Sequence, residues 1–432
     1  MGSNVAIIGA GPAGLGLALA LARRGTSRTI TVYDLAEDHA TAPRYNPDRS
    51  YTIDITGHGA RTLEYLDVAN RFNRELIKFA GIRGVCLGKD EPWVGPGWTG
   101  SRGDICRTLM AEIKEKHPGK VNFLFETEAH VTDIDGGRLV ARTKAGKDEV
   151  EARYDLIVAC DGAGSMARRA MADQVPEFSV EKAHVNNYCT MIHFDQNTED
   201  LDPQWLYVFN LDPLVVGGAI SGDGGPSDPK WFCQVGFSHN KTFADAAEAK
   251  AVLHKAVPAI LRYVSDSEVA AFSKRSCAHI GRAATCNMLS AGRLVLVGDA
   301  GGPFPPVGQG INAALEASMV LDQCLAQAES EGKDVRDAAA AYTKAWLPEA
   351  HGVSWIAQRV EFGNPWKMGL VLAAVLGGFS VLNDAKKGDR KWSELARRAQ
   401  ARQAVLINSG YLLLGAAGAT AAAMLYLKLR KQ

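Results

Sequence analysis

The chain has 432 residues, 47% of them hydrophobic and 22% charged, and its 48 Lys and Arg balance its 48 Asp and Glu. At about 150 residues per domain this is two or three structural units with substantial cores, and the neutral, apolar composition excludes a disordered chain. A zero net charge also argues against nucleic acid as a partner, because phosphate binding needs an excess of Lys and Arg.

Residues 5–8, Val5-Ala6-Ile7-Ile8, form a continuous apolar run suited to a buried parallel strand. The run excludes a signal peptide, having no basic residues before it. It leads into Gly9-Ala10-Gly11-Pro12-Ala13-Gly14 and a helical stretch over 15–24. In that strand-to-helix setting G-x-G-x-x-G is a dinucleotide fingerprint. Gly9 permits the tight turn, Gly11 lets a pyrophosphate approach the backbone, and Gly14 lets helix and strand pack closely. The helix N-terminus adds unpaired N–H groups for the phosphates. A second predicted strand, 29–33, ends at Asp34, an acid placed to accept hydrogen bonds from the adenosine ribose.

Another apolar strand, 154–159, runs into Cys160-Asp161-Gly162-Ala163-Gly164-Ser165-Met166-Ala167-Arg168. From about 177 to 275, apolar and polar residues alternate in runs such as 205–209, 214–219 and 231–237, which predicts an antiparallel sheet. Its aromatics Trp205, Tyr207, Trp231 and Phe237 either line a pocket or form its core. A third apolar strand, 294–297, ends in Gly298-Asp299-Ala300. Pro303-Phe304-Pro305-Pro306-Val307-Gly308-Gln309-Gly310-Ile311-Asn312 follows and opens a helix to about residue 325. The eight cysteines include no C-x-x-C pair, so they read as free thiols in a reducing compartment, and no histidine spacing suggests a metal.

Near the C-terminus, residues 368–382 form an apolar run too short to span a bilayer, suited to a membrane interface or to capping the core. Residues 404–427 carry no charge, enough for a helix crossing about 30 Å of hydrocarbon. Basic residues crowd the side before it, Lys386 to Arg402, more than the side after it. That asymmetry predicts a single-pass tail anchor in a lipid bilayer, with the body in the cytosol, at the mitochondrial outer membrane or endoplasmic reticulum. A buried Ala-rich helix is the alternative.

The glycine motif, D-G-x-x-S-x-x-R and G-D followed by P-x-x-G-Q-G, in this order, resemble the class A flavoprotein monooxygenases, the p-hydroxybenzoate hydroxylase family, over roughly residues 1–350. The resemblance implies an α/β fold with a Rossmann-like FAD-binding domain of that type, interrupted by an antiparallel β-sheet substrate domain. C-terminal helices and the transmembrane tail complete it. The expected parts are 1–176, the first FAD-binding part with a small substrate-side insertion at about 76–98; 177–275, the sheet; 276–345, the second FAD-binding part; 346–403, helical; and 404–427, the anchor. The resemblance implies FAD, NADPH or NADH as electron donor, and O2, one atom of which enters a small organic substrate.

The implied FAD contacts are Gly9, Ala10, Gly11, Ala13, Gly14, Asp34 and Asp161, with Asp299 on the ribityl hydroxyls. Gly308 and Gly310 would lie against the ring, and Ile311 and Asn312 would aim N–H groups at its pyrimidine end. Within the family the likeness is to the kynurenine 3-monooxygenase branch, through Arg49-Ser50, Arg102 and the anchor. Arg49 and Arg102 are then FAD contacts, Arg83 a candidate for a substrate carboxylate, and Tyr207 and Pro306 further substrate contacts. The chain departs from the branch at Gly301-Gly302, in place of Ala-His, and at 354–360, which lacks its N-Y-x-E-M-R pattern. Aromatic hydroxylation is therefore weighed against oxygenation of a lipophilic substrate by a membrane-bound enzyme, and against a flavin-binding membrane scaffold without turnover.

Overall fold

A computed structural model of the chain describes residues 4–25, 28–46, 48, 50–146, 149–378 and 380–404. Strand Asn4–Ile8 lies inside a six-stranded sheet, paired in parallel with Thr29–Tyr33 on one side and Leu156–Ala159 on the other. Val121–Leu124 and Leu294–Leu296 extend the parallel sheet outward, and Ser290–Ala291 closes one edge antiparallel. Residues 5–8, 156–159 and 294–296 are apolar without alternation because both faces of the sheet are covered there.

Helix Pro12–Arg23 begins three residues before the predicted stretch, since proline tolerates a first turn where its missing N–H would be unpaired anyway. Its residues from Pro12 to Ala22 are all buried. Two glycines make this possible. Gly9 has φ +108°, and a Cβ there would lie 2.4 Å from the Cys160 carbonyl oxygen; one at Gly14 would lie 1.9 Å from the Gly9 carbonyl oxygen. Helix Arg102–Lys116 is set by a capping box, in which Ser101 Oγ accepts from Asp104 N and the Asp104 carboxylate accepts from Ser101 N. The third motif's helix, Gly310–Ser330, outruns its expected end at 325.

The expected antiparallel sheet is present over Tyr188–Phe194, Gly225–Phe237, Leu214–Gly222 and Trp205–Leu211. Its far edge is built from earlier sequence: Gly81–Gly84 pairs in parallel with Trp205–Leu211, and Lys89–Pro92 follows. One face packs on a second core containing Tyr207, Phe209, Trp231, Phe237, Leu253 and Phe272. The other turns toward the FAD-type body.

Past Val335–Ala357 come Pro365–Leu376, Val381–Lys387 and a helix over 392–404. They return to the body: Trp392 stacks on His58 at 4.2 Å between ring centroids and donates its indole N–H to Glu316 at 2.7 Å. The apolar run 368–382 supplies Met368, Val371, Leu372 and Leu382 to the wall of a cavity.

The membrane location expected from the C-terminal run is corrected. Among the described residues no helix is long and apolar enough to cross a membrane. Residues 405–427 of the expected anchor lie outside the described residues, and the bilayer contact expected through them is withdrawn. All eight cysteines are free.

The Gly14 contact gives a direct test. Gly14→Ala is expected to cost about 3 kcal/mol through overpacking against the Gly9 carbonyl. Gly369→Ala, in helix Pro365–Leu376 with nothing within 4 Å, is expected to gain about 0.5–1 kcal/mol. Urea denaturation of the two variants measures both.

Candidate functional site

Four parallel strands end at the same side of the sheet, and each predicted motif begins where its strand stops. Asn4–Ile8 delivers the glycine turn, Thr29–Tyr33 delivers Asp34, Leu156–Ala159 delivers Asp161, and Leu294–Leu296 delivers Asp299. A crevice beyond the carboxyl ends of such strands is where α/β sheets bind nucleotides.

The glycine turn is held from below. Gly9 N donates to Tyr33 O at 2.7 Å, Ala10 N donates to Asp34 Oδ2 at 2.5 Å, and His39 Nε2 meets Ala10 O at 2.7 Å. Asp34 Oδ1 also accepts from Ala36 N, yet a carboxylate keeps lone pairs for ribose hydroxyls. Above the turn stands Arg102: a Cβ on Gly11 would lie 2.9 Å from its guanidinium Nη2. Bare backbone, a helix N-terminus and a cation converge there, as a pyrophosphate requires.

Asp161 also braces the local structure. Its Oδ2 accepts from Met166 N at 2.8 Å and Ala167 N at 3.2 Å, holding the start of helix Met166–Gln174, while its buried Oδ1 has no partner among the described residues. Arg168, quoted in the motif but absent from the expected contacts, joins two loops. It donates to Ala163 O at 2.5 Å, Asp299 O at 3.1 Å and Ala300 O at 2.6 Å. Its signal was its place in D-G-x-x-S-x-x-R; that its partners would be carbonyls 131 and 132 residues away was not readable.

Asp299 opens into the crevice while protein crowds it from behind. Desolvation pushes its carboxyl above the ordinary range, and the Arg102 and Arg168 guanidiniums pull the other way. Gly308 has φ +76° and Gly310 has nothing within 4 Å of a Cβ, so this loop presents bare backbone. The first N–H taken up within the following helix is that of Ala313, to Gln309 O, which leaves those of Gly310, Ile311 and Asn312 directed out of its end. The Asn312 side chain is an internal brace, donating to Asp54 O at 3.1 Å and accepting from Thr56 N at 3.2 Å. Arg49 lies outside the described residues. At Gly301, where the resembled pattern has alanine, a Cβ would come 2.7 Å from Leu289 Cδ2. These features fit FAD: open backbone for phosphates and ring, two arginines, and acids at the strand ends.

Beside the loop lies a cavity of about 300 Å³. Its walls are Ile82, Gly84, Leu206, Val208, Val216 and Phe232 of the sheet, Pro306, Val307 and Gly308 of the loop, and the C-terminal helices. Pro306 lines it. Arg83 and Tyr207 do not, because strand side chains alternate and both belong to the opposite face. Arg83 pairs with Asp90 and lies over the Trp205 ring at 4.7 Å, and the Tyr207 hydroxyl accepts from Asp202 N at 2.8 Å within the second core.

Fold and crevice define a class, the FAD-dependent monooxygenases, enzymes using FAD, NADPH and O2. A family model described as "FAD binding domain" matches residues 2–353, and the chain belongs to that family. Among curated relatives, kynurenine 3-monooxygenase of Stenotrophomonas maltophilia is 25% identical over 367 residues, covering 82% of this chain and 78% of the relative. The 3-amino-4-hydroxybenzoate 2-monooxygenase PtmB3 of Streptomyces platensis is 26% identical over 347 residues, covering 76% and 80%. A variant of 2-methyl-3-hydroxypyridine-5-carboxylic acid oxygenase has the same fold with TM-score 0.63 and 18% identity, over 92% of this chain and 97% of that one. HpxO of Klebsiella pneumoniae, solved with FAD and uric acid, aligns with TM-score 0.64 and 16% identity, over 89% and 96%.

Because the protein behind it raises the Asp299 carboxyl although the residue opens to the crevice, its ionised form is a modest cost to the folded apoprotein that grows as pH rises above the ordinary carboxylate range near 4. Asp299→Asn is therefore expected to raise the Tm of the apoprotein at pH 7, with the gain closing toward pH 4. The same variant is expected to weaken FAD binding by at least about tenfold, roughly one charge-assisted hydrogen bond. Differential scanning fluorimetry across pH and flavin-fluorescence titration check the two.

Proposed function

We propose that this enzyme hydroxylates an aromatic small molecule held in the cavity between the sheet and the Pro306–Gly308 loop. The observation that carries the reading is the cavity's position: its wall includes the backbone expected against the flavin ring, and the rest is largely aliphatic with three aromatics, Tyr51, Phe232 and Phe362. An aromatic ring fits such a space, and the curated relatives named for kynurenine and for 3-amino-4-hydroxybenzoate support an aromatic substrate.

FAD, when bound, supplies the redox chemistry, taking electrons from NADPH and using O2. This chain's residues bind, orient and enclose. Leu206, Val208 and Ile82 press on one side of the substrate and Met368, Val371 and Leu382 on another, fixing it against the loop and keeping water out. Arg102 and Asp299 hold the cofactor at the crevice end. The outward N–H groups at the start of helix Gly310–Ser330 favour negative charge on the ring. The parts at 1–176 and 276–345 then form one cofactor body, and 177–275 together with 76–98 forms the cover.

Filling the cavity separates substrate binding from cofactor binding. Leu206→Trp or Val208→Trp is expected to lower aromatic-stimulated NADPH oxidation by at least about tenfold at unchanged flavin content. Tyr207→Phe and Arg83→Ala, on the opposite face, are expected to leave the KM for the substrate within about twofold. Steady-state NADPH oxidation with product analysis measures both, and a reversed pattern puts the substrate on the other face.

A further inference from the structure

The cavity wall carries four charged side chains among the described residues: Asp54, Lys89, Glu91 and Lys386. Each has an opposite partner in the same wall. Lys386, near the end of helix Val381–Lys387, is ion-paired with the Asp54 carboxylate, their side chains only 12% and 4% exposed. Lys89 Nζ lies 3.6 Å from Glu91 Oε1, and Glu91 also accepts from Asn383 Nδ2 at 2.8 Å. The deeper pair stands beside the loop, since Asp54 Oδ1 is 3.4 Å from where a Cβ on Gly308 would sit. Lys386 Nζ also rests 5.5 Å from the centre of the Phe79 ring.

We infer that the Asp54–Lys386 pair sets the charge selectivity of this cavity, so that it admits uncharged aromatic molecules and rejects aromatic carboxylates. The inference rests on the cavity being the substrate site and names the class of substrate. A carboxylate entering beside the loop meets an ammonium already neutralised by Asp54. To use it, the ligand must break that pair and leave the Asp54 carboxylate buried without a counter-charge, which costs more than the new contact returns. A neutral ring leaves the pair intact and loses only water. Arg83, the candidate carboxylate partner in the sequence, faces away and is engaged by Asp90. The selectivity is thus a built-in penalty against anions, not an added attraction for neutral rings.

The experiment titrates FAD-loaded protein with matched neutral and anionic ligands, following tryptophan fluorescence and calorimetric heat. The pairs are benzamide and benzoate, anthranilamide and anthranilate, and 2-naphthamide and 2-naphthoate. In the wild-type protein the amide of at least one pair is expected to bind at least about tenfold tighter than its carboxylate. Asp54→Asn, which leaves the ammonium unpaired, is expected to reverse that order. Asp54→Asn with Lys386→Met, which removes both charges, is expected to restore it. Carboxylates binding wild type as tightly as the amides overturn the selectivity while leaving the cavity as the substrate site, and that measurement needs no variant to fold. An unchanged order in a folded Asp54→Asn protein overturns it as well. Binding by no member of any pair removes the cavity as an aromatic site and the selectivity with it.

Discussion

The packing of helix Pro12–Arg23 against helix Gly310–Ser330 is the contact on which the crevice depends. The two lie some three hundred residues apart in sequence, and each opens with a loop that the cofactor needs. Their approach is close because small residues face each other: a Cβ on Gly16 would lie 3.3 Å from Leu315 Cδ2, and Ser318 Oγ donates to Ala13 O at 2.7 Å. At the far end Arg24 is ion-paired with the buried Asp322 carboxylate. A buried hydrogen bond of this kind contributes about 1 kcal/mol, less than the apolar surface the pair removes from water. Its effect on geometry is larger, since it sets the Gly9–Gly14 turn and the Gly308–Asn312 loop at a fixed separation.

Around that pair the loops are braced by side chains whose partners are backbone atoms. Arg168 ties the D-G segment to Asp299 and Ala300, and Asn312 ties its own helix to the strand carrying Asp54. Neither interaction leaves the loop backbone blocked, so bare N–H groups remain for a ligand. The same economy shapes the substrate side. The Asp54 strand, the Gly308 loop and the C-terminal helix bearing Lys386 meet at one corner, where body, cover and C-terminal segment share a wall.

Much of the crevice was readable from local pattern. Apolar strands followed by glycine turns, and acids at strand ends, have meanings that hold over a few residues: where the backbone turns, where phosphates fit, where an acid stands. The order of three such motifs then pointed to the family. Arg83 and Tyr207 lie off the cavity for a definite reason. Alternation shows that a strand has two faces, but not which one meets the body and which meets helices Ala246–Ala256 and Asp266–Phe272. Both residues are amphipathic and suit either face.

By itself the sequence determined the dinucleotide turn and the parallel strands that present it, because each rests on contacts within a few residues or on backbone freedom at glycine, while the flavin-monooxygenase class came from the resemblance that its three ordered motifs carry. The tertiary structure alone decided what the long-range partners are. It placed Arg102 over Gly11, drew residues 81–92 into the edge of a sheet more than a hundred residues later, and set Lys386 against Asp54. Pairings of that kind depend on how whole elements pack, and on the closing of loops whose length leaves no local trace. The cavity's charge balance, on which the proposed substrate selectivity rests, belongs to that second level.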